Sequence, residues 1–240
     1  MKLKLRDSLT TPDKKRELNE EMFSEIAAEY DRVTPPLSFG RDRAWKRDLI
    51  DSLSPLKSPR CLDIACGTGD LCELLVTRFP DAKMIGLDLT EAMLNIARAR
   101  APDPRVTFQA GDMCRMDFPD ASFDIVTGGY ALRNAPDLKQ TLGEIWRVLK
   151  PGGTAAFLDF SKPPSKVFQT LEDLALRFWG GLFGLLLHGN PEIYSYLAAS
   201  LRQFPDREVF HKLLEENGFT KIESRLFFFG VIERVTFRKM

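Results

Sequence analysis

Two glycines one residue apart, Gly67 and Gly69, mark the part of the chain best suited to holding a ligand. They follow the apolar run 61–64 and open an amphipathic segment, a pattern that predicts a strand, a tight turn and a helix. Unpaired backbone N–H groups and the helix dipole at such a helix start can bind the polar end of a ligand. The turn therefore predicts a cofactor site. Asp63 is expected either to orient the turn or to bind the cofactor's amino group. A strand, turn and helix without a ligand is the alternative.

Carboxylates also end the next two predicted strands, at Asp88 and Asp112. Asp88 follows Gly69 by 19 residues, a spacing that suits a carboxylate gripping the ribose hydroxyls of a nucleoside. Together with Asp63, these acids would repel a pyrophosphate but favour a cofactor with an ammonium group, a sulfonium and an adenine amino donor. A nicotinamide fingerprint would also require Gly or Ala where this chain has Cys72. The chemistry therefore predicts S-adenosylmethionine (SAM) as the cofactor.

Composition excludes several classes of protein. The 240 residues, 44% of them apolar, suffice for a single α/β domain over 1–240. Lys and Arg number 34, as do Asp and Glu, so the chain is not expected to bind a long nucleic acid. Neither the four cysteines nor the two histidines have metal-ligand spacing, and no metal is predicted. Residues 1–21 lack the apolar core of a secretory signal, so we expect a cytoplasmic protein whose first dozen residues form a loose arm.

Strands and helices alternate along most of the chain, which predicts an α/β fold with helices on both faces of a mostly parallel, Rossmann-like sheet. Helices over 20–32 and 41–53, separated by a break at Pro35-Pro36, should precede the sheet and form a lid within the segment 1–53. The last two strands should form an antiparallel hairpin joined at Gly230. The predicted strands are 61–64, 82–88, 105–112, 122–129, 154–160, 221–228 and 231–238.

A series of short segments resembles the C-methyltransferases of ubiquinone and menaquinone biosynthesis. These segments are 22–31, 37–40 followed by Arg43 and Trp45, the glycine turn, 131–134, 146–153, 160–163 and 194–197. Many methyltransferases share the glycine turn, but few share Leu-Arg-Asn at 132–134 and Phe-Ser-Lys-Pro at 160–163 as well. The resemblance covers most of the chain. It implies a class I SAM-dependent methyltransferase with a seven-stranded sheet, and it suggests a quinol ring as the methyl acceptor.

The same resemblance assigns further residues to the cofactor. Thr68 and Gly129 match positions that touch its methionine part. Tyr30 belongs to a Tyr-Asp pair that could close the pocket from the N-terminal helix. Leu89 and Met113 are placed beside the two strand-end carboxylates at the adenosine, although core packing is the alternative for Met113.

Arg133 is the candidate catalytic residue, because it lies just past the fourth predicted strand and matches the family's Leu-Arg-Asn sequence. A quinol carbon becomes nucleophilic when a neighbouring hydroxyl loses its proton, and a phenol's pKa is about 10. A cation beside the oxygen would stabilise the anion. Alternatively, Arg133 pairs with a carboxylate and orders its loop. Asn134, Tyr194 and Tyr196 are expected on the acceptor side, although tyrosines in such a segment can simply pack.

The segment 164–205 is predicted to be a helical insertion on the acceptor side. Its apolar stretch 178–187 is shorter than the ~20 residues that span a bilayer. It could form core, a homodimer contact or a channel for a polyprenyl tail, with contact to a membrane surface that holds such a small lipophilic aromatic substrate. The chain departs from the family on this side at Asp42, 198–199 and 233–234. Two rivals to a quinol methyltransferase therefore stay open: a methyltransferase for another lipophilic acceptor, and a SAM-binding protein that transfers no methyl group.

Overall fold

The computed structural model describes residues 9–100, 103–188 and 192–240, without the side chains of 186–188 and 192–194. Within these residues, seven strands form one sheet in the order β3-β2-β1-β4-β5-β7-β6. The strands are β1 (Arg60–Ile64), β2 (Lys83–Asp88), β3 (Val106–Ala110), β4 (Phe123–Gly129), β5 (Leu149–Phe160), β6 (Phe219–Phe227) and β7 (Ile232–Lys239). Strands β1 to β5 are parallel, and β7 runs antiparallel to both β5 and β6. The predicted sheet and its C-terminal hairpin are confirmed.

Helices lie on both faces of this sheet, because successive strand residues enter two different cores. The helices are α1 (Pro12–Ile26), α2 (Tyr30–Leu37), α3 (Asp42–Asp51), α4 (Asp70–Arg78), α5 (Glu91–Arg100), α6 (Leu138–Val148), α7 (Lys166–His188), α8 (Glu192–Gln203) and α9 (Arg207–Glu216). Cys61 and Ile125 belong to one core, together with residues of α3 and α4, whereas Leu62 and Val126 belong to the other, with residues of α6 and α9.

The N-terminal helices differ from their prediction. Helix α1 begins at Pro12, eight residues before the predicted start, with the Thr11 side chain as its N-cap. Residues 1–8 of the predicted loose arm lie outside the described residues. Pro35 and Pro36 fall inside α2. The N–H of Ser38 still bonds back into the last turn, so the chain leaves the helix only after Leu37. The break predicted at the prolines therefore comes slightly later.

Two polar residues on the buried face of α1 explain why its start was missed. Lys15 and Asn19 interrupt the apolar pattern on which a helix prediction depends, yet both are buried. The Lys15 Nζ donates to the Arg133 carbonyl oxygen at 3.0 Å, and the Asn19 Nδ2 donates to the Asn134 carbonyl oxygen at 2.7 Å. The polar side chains thus dock α1 onto the loop that follows β4.

Close packing against β4 supports a stability prediction at Gly128. A Cβ atom there would lie 2.6 Å from the Phe157 ring and 2.9 Å from the Ala131 Cβ. We expect Gly128→Ala to lower the free energy of unfolding by about 1–3 kcal/mol, measured by urea denaturation. Gly143→Ala is the control, because a Cβ on this exposed α6 residue meets nothing within 4 Å; it should raise stability by about 0.4–1 kcal/mol. Equal urea midpoints for Gly128→Ala and the wild-type chain would contradict this packing.

The insertion is helical, as α7 and α8, but its apolar stretch is not core. On α7, Phe178, Trp179 and Leu185 are exposed, with Phe178 67% accessible. Of the three alternatives for 178–187, buried core does not apply to these side chains, because only one face of α7 packs on the protein. Within residues 9–100, 103–188 and 192–240, no helix combines the length and apolar character that a membrane span requires.

Candidate active site

The glycine turn and the end of β2 are joined through one carboxylate. Gly67 and Gly69 have positive φ angles of 54° and 91°, which favour glycine in this turn. The Gly67 N–H donates to Asp88 Oδ2 at 2.8 Å, and the Thr90 N–H donates to Asp88 Oδ1 at 2.8 Å. Burial raises the pKa of Asp88, and these backbone donors oppose the shift. Asp88 is thereby held in one orientation at the carboxyl ends of the strands.

A narrow cleft of about 60 Å³ opens beside this turn. Its lining contains seven of the residues predicted for the cofactor: Tyr30, Gly67, Asp88, Leu89, Asp112, Met113 and Gly129. The remaining three, Asp63, Thr68 and Gly69, are not among the lining residues. The structure therefore brings most of the predicted cofactor residues to one place, at the carboxyl ends of the parallel strands.

Asp63 lies beneath the turn, inside β1. Its carboxylate accepts hydrogen bonds from Thr127 Oγ1 at 2.7 Å and from Cys72 Sγ at 3.7 Å. Burial raises the pKa of Asp63 to about 7, although the hydrogen bonds from Thr127 and Cys72 oppose this shift. Asp63 thus links β1, β4 and α4, which corresponds to the orienting role that the sequence allowed.

Thr68 belongs to a polar network that we call the latch, formed by Asp31, Thr68, Asp70 and Arg100. Thr68 Oγ1 donates to Asp31 Oδ1 at 2.7 Å. Arg100 donates to Asp31 Oδ2 at 2.8 Å and to Asp70 Oδ1 at 2.9 Å. The latch ties α2 against the glycine turn, so that the adjacent Tyr30 lies over the cleft.

Asn134 also lines the cleft, whereas the sequence had placed it on the acceptor side. The short 3₁₀ turn that carries it folds back beneath Tyr130, and Asn134 Nδ2 donates to the Tyr130 carbonyl oxygen at 2.8 Å. Among the described residues, the buried Asn134 Oδ1 has no hydrogen-bond partner. This unpaired oxygen, in the same cleft as Gly129, suits an ammonium group as its hydrogen-bond donor. The Asp88 and Asp112 carboxylates suit hydroxyl and amino donors. These residues fit SAM chemically.

A second cavity of about 400 Å³ adjoins the cleft. Phe23, Tyr30 and Tyr130 line both spaces. Its walls are mainly apolar side chains from α1, α2, α7 and the end of β5. The exposed rings of Phe39 and Phe228 also line it and stack on each other, with their centres 5.3 Å apart. A large apolar cavity with few polar groups is typical of a site for a lipophilic ligand.

Arg133 lies in the wall of this cavity and is paired. Its Nη1 donates to Asp159 Oδ1 at 3.0 Å and to the Tyr130 carbonyl oxygen at 2.7 Å, while its guanidinium lies 5.1 Å from the Phe160 ring centre. The loop-ordering alternative is therefore present. The Arg133 Nε is buried and has no partner in the described part of the chain, so its N–H remains for an acceptor oxygen. The catalytic role stays a prediction.

Of the two predicted acceptor tyrosines, Tyr196 lines the cavity. It is 1% exposed, and its hydroxyl donates to Asn19 Oδ1 at 2.6 Å. Its ring also packs edge-on against Phe23. The side chain of Tyr194 lies outside the described residues.

The family departures at 42 and 233–234 are not among the residues that line the cavity. Asp42 pairs with Lys46 at 2.8 Å, and Glu233 bonds His211 at 2.8 Å. Arg234 pairs with Asp48 on α3 at 3.1 Å. These side chains therefore have structural partners, and they do not by themselves change the wall that an acceptor would meet.

Glu172 is a cavity residue that sequence reasoning missed. It is 8% exposed, lies on α7 and lines the large cavity. The signal was an acid whose helical neighbours three and four positions away, Phe168, Ala175 and Leu176, are apolar. Its neighbour Asp173, by contrast, pairs with a basic residue four positions later.

The mixed sheet, its antiparallel hairpin and the cleft at the strand ends define a Rossmann-like fold, which solved methyltransferases share. The chain belongs to the ubiE/COQ5 methyltransferase family, whose model matches residues 11–237.

Relatives agree with this family over nearly the whole chain. A demethylmenaquinone methyltransferase of Thermus thermophilus is 39% identical over 88% of this chain and 96% of its own length. The ubiquinone/menaquinone biosynthesis C-methyltransferase UbiE of Dinoroseobacter shibae is 36% identical over 91% of this chain and 89% of its own length.

Solved structures share the fold at lower identity. An S-adenosylmethionine dependent methyltransferase from Mesorhizobium loti superposes with a TM-score of 0.60 at 21% identity, over 82% of this chain and 98% of its own. Phosphoethanolamine N-methyltransferase 2 of Haemonchus contortus, in complex with S-adenosyl-L-methionine, gives 0.59 at 23% identity, over 76% of this chain and 38% of its own.

Proposed function

We propose that this chain transfers the methyl group of SAM to a ring carbon of a demethylated quinol, a precursor of menaquinone or ubiquinone. The observation that carries the proposal is the apolar cavity of about 400 Å³ that adjoins the cofactor cleft at Tyr130 and has Arg133 in its wall. Relatives named demethylmenaquinone methyltransferase, at 37–39% identity, support this acceptor.

The roles of the residues follow from their positions. SAM supplies an electrophilic methyl group when it is bound. Asp88 accepts from ribose hydroxyls with lone pairs that its backbone donors leave free, and Asn134 Oδ1 accepts from the ammonium group. Arg133 Nε donates to the acceptor oxygen as negative charge develops there. The apolar walls exclude water, which strengthens that interaction.

The latch has to open when the cofactor enters. A pocket that holds a small-molecule cofactor has a volume of about 300–1,000 Å³, whereas the volume of the cleft is about 60 Å³. The covering side chains include Phe23 and Tyr30, which precede or adjoin the latch residue Asp31. Movement of α1 and α2 away from the glycine turn would widen the cleft at the cost of the Arg100–Asp31 ion pair and the Thr68–Asp31 hydrogen bond.

Product analysis tests the proposed function. The full chain is incubated with methyl-labelled SAM and, in parallel, with demethylmenaquinol or with other lipophilic aromatic acceptors. We expect label on a ring carbon of the quinol, found by mass spectrometry. Label only on another aromatic would replace the quinol as acceptor. Binding of SAM without S-adenosylhomocysteine from any acceptor would favour a protein that does not transfer methyl groups.

An exposed apolar face of α7 supports contact with a membrane surface as part of this function. Its residues follow one another at intervals of three and four: Val167, Leu171, Leu174, Phe178, Leu182 and Leu185. The opposite face of the same helix supplies Leu176 and Phe183 to the cavity wall. The cavity wall and the exposed apolar face therefore share one helix, which suits an acceptor whose prenyl tail lies in a bilayer.

Vesicle binding tests this contact. The double variant Phe178→Asp, Leu182→Asp should reduce binding to vesicles of anionic and zwitterionic phospholipid at least tenfold, because burying one such side chain contributes about 1.5–3 kcal/mol. Flotation measures the bound fraction. Val209→Asp is the control, since Val209 is equally exposed but lies on α9. Unchanged vesicle binding, together with a change from dimer to monomer in light scattering, would instead assign the face to a second copy of the chain.

A further inference from the structure

Among the described residues that line the large cavity, Glu172 is the only acidic one. It is 8% exposed, and its buried Oε1 atom has no hydrogen-bond partner among those residues. A buried polar atom without a partner costs free energy and is rare in folded proteins. Such an atom in the wall of a ligand cavity is available to the ligand.

The charged groups around Glu172 leave it unpaired. Lys162 lies near enough to favour its carboxylate form, but the Lys162 Nζ is bound to Asp206 Oδ1 at 3.3 Å and to the carbonyl oxygen of Phe204. Asp173, beside it on α7, is held at 2.9 Å by Arg177. Arg133, which also lines the cavity, pairs through Nη1 with Asp159 at 3.0 Å and not with Glu172.

Burial raises the pKa of Glu172 to about 8, which Asp173 reinforces and Lys162 opposes. This value brings the carboxyl group closer to a phenol, whose pKa is about 10. A proton acceptor works best when its pKa lies near the working pH. The three tyrosines that face the cavity stay protonated, because burial raises the pKa of Tyr30, Tyr130 and Tyr196.

We propose that Glu172 is the general base of the reaction and that its carboxylate takes the proton of the acceptor hydroxyl. This inference rests on the proposed function, which supplies a quinol in the cavity. The O–H bond breaks, its electron pair stays on the oxygen, and the proton bonds to Glu172. The negative oxygen raises the electron density at the ring carbon that receives the methyl group. That carbon loses its own proton to solvent when the product leaves the cavity, and this loss restores the aromatic ring.

Other groups titrate in the same range, so a pH profile of the wild-type chain is not sufficient. Burial and the nearby Arg133 lower the pKa of Lys15 to about 8, and burial raises that of Asp63 to about 7. Lys15 bonds the Arg133 carbonyl oxygen, and Asp63 lies beneath the glycine turn. The part of the profile that belongs to Glu172 is the part that its replacement removes.

The test compares Glu172→Gln with the wild-type chain, using demethylmenaquinol and SAM from about pH 6 to about pH 10. We expect kcat/KM of the wild type to rise with pH through about 8. Glu172→Gln should lower kcat/KM by about 10²–10⁴-fold and lose that rise, with SAM affinity unchanged in calorimetry. Asp173→Asn is the matched control, and its profile should keep the rise, at a lower pH because the Asp173 charge no longer raises the pKa of Glu172.

Wild-type kcat/KM and an unchanged profile for Glu172→Gln would overturn the role of Glu172. A wild-type chain that makes no methylated quinol at any pH would overturn the proposed function instead. A second variant guards against misfolding of the first: Glu172→Ala opens space for formate in the cavity. Turnover that rises with formate and then saturates supports the proposal. If the turnover of Glu172→Ala does not change with formate concentration while SAM still binds, the general-base role of Glu172 is refuted.

Discussion

Replacing Arg133 by alanine is expected to lower the free energy of unfolding by about 3–5 kcal/mol, because it leaves the Asp159 carboxylate buried without its counterion. Arg133 and Asp159 are each about 6% exposed and lie 3.0 Å apart. The guanidinium also packs over the rings of Tyr130 and Phe160, and these contacts would be lost too. Urea denaturation measures the loss. In chains that remain folded, turnover with a quinol should fall more than SAM affinity, since Arg133 faces the acceptor cavity.

A surface ion pair is the control for this prediction. Arg98 pairs with Glu91 on α5, where both side chains are well exposed. Arg98→Ala should therefore change stability by about 1 kcal/mol or less. Equal urea midpoints for Arg133→Ala and Arg98→Ala would show that the buried pair contributes no more than an exposed one.

Asp88→Ala is expected to weaken SAM binding by about 10- to 100-fold, because a hydrogen bond to a charged group contributes about 1.5–3 kcal/mol. The variant removes the acceptor for the ribose and also releases the N–H groups of Gly67 and Thr90, which the carboxylate holds at 2.8 Å. Isothermal titration calorimetry with SAM measures the change. The release of Gly67 should affect the glycine turn itself, so the loss exceeds that of one ligand contact.

Asp124→Ala tests whether any strand aspartate would have the same effect. Asp124 Oδ2 also accepts a backbone N–H, from Arg60 at 2.9 Å, but it lies near the start of β4, away from the cleft. The SAM affinity of Asp124→Ala should equal that of the wild-type chain. The assignment of Asp88 to the ribose would be refuted by equal SAM affinity for Asp88→Ala and Asp124→Ala.

The inner strands β1, β2 and β4 could be predicted because each is a mainly apolar run bounded by turn residues. Local pattern is enough there, since a strand buried on both faces needs apolar side chains at every position. Helix α1 shows the limit of that reasoning. Lys15 and Asn19 are buried in it because carbonyl oxygens from a loop more than a hundred residues later accept their protons, and no local pattern reports such a partner.

The candidate site divides in the same way. Gly67 and Asp88 were found because turn geometry and strand ends are local features. Asn134 lines the cleft and not the large cavity on the acceptor side, because the direction of its turn depends on the bond to Tyr130. Glu172 was missed because its burial depends on how α7 lies over the cavity, and a single acid among apolar neighbours is also common on exposed helices.

One backbone oxygen joins the two halves of the site. The Tyr130 carbonyl accepts from Arg133, which faces the large cavity, and from Asn134, which faces the cleft. The separation between the two reacting partners is consequently built into the main chain, where side-chain rotation cannot adjust it. Phe39 and Phe228, which also line the cavity, offer a ligand only apolar ring contacts. We therefore expect an enzyme that is stringent toward the head group and permissive toward homologues that differ only in the length of the tail.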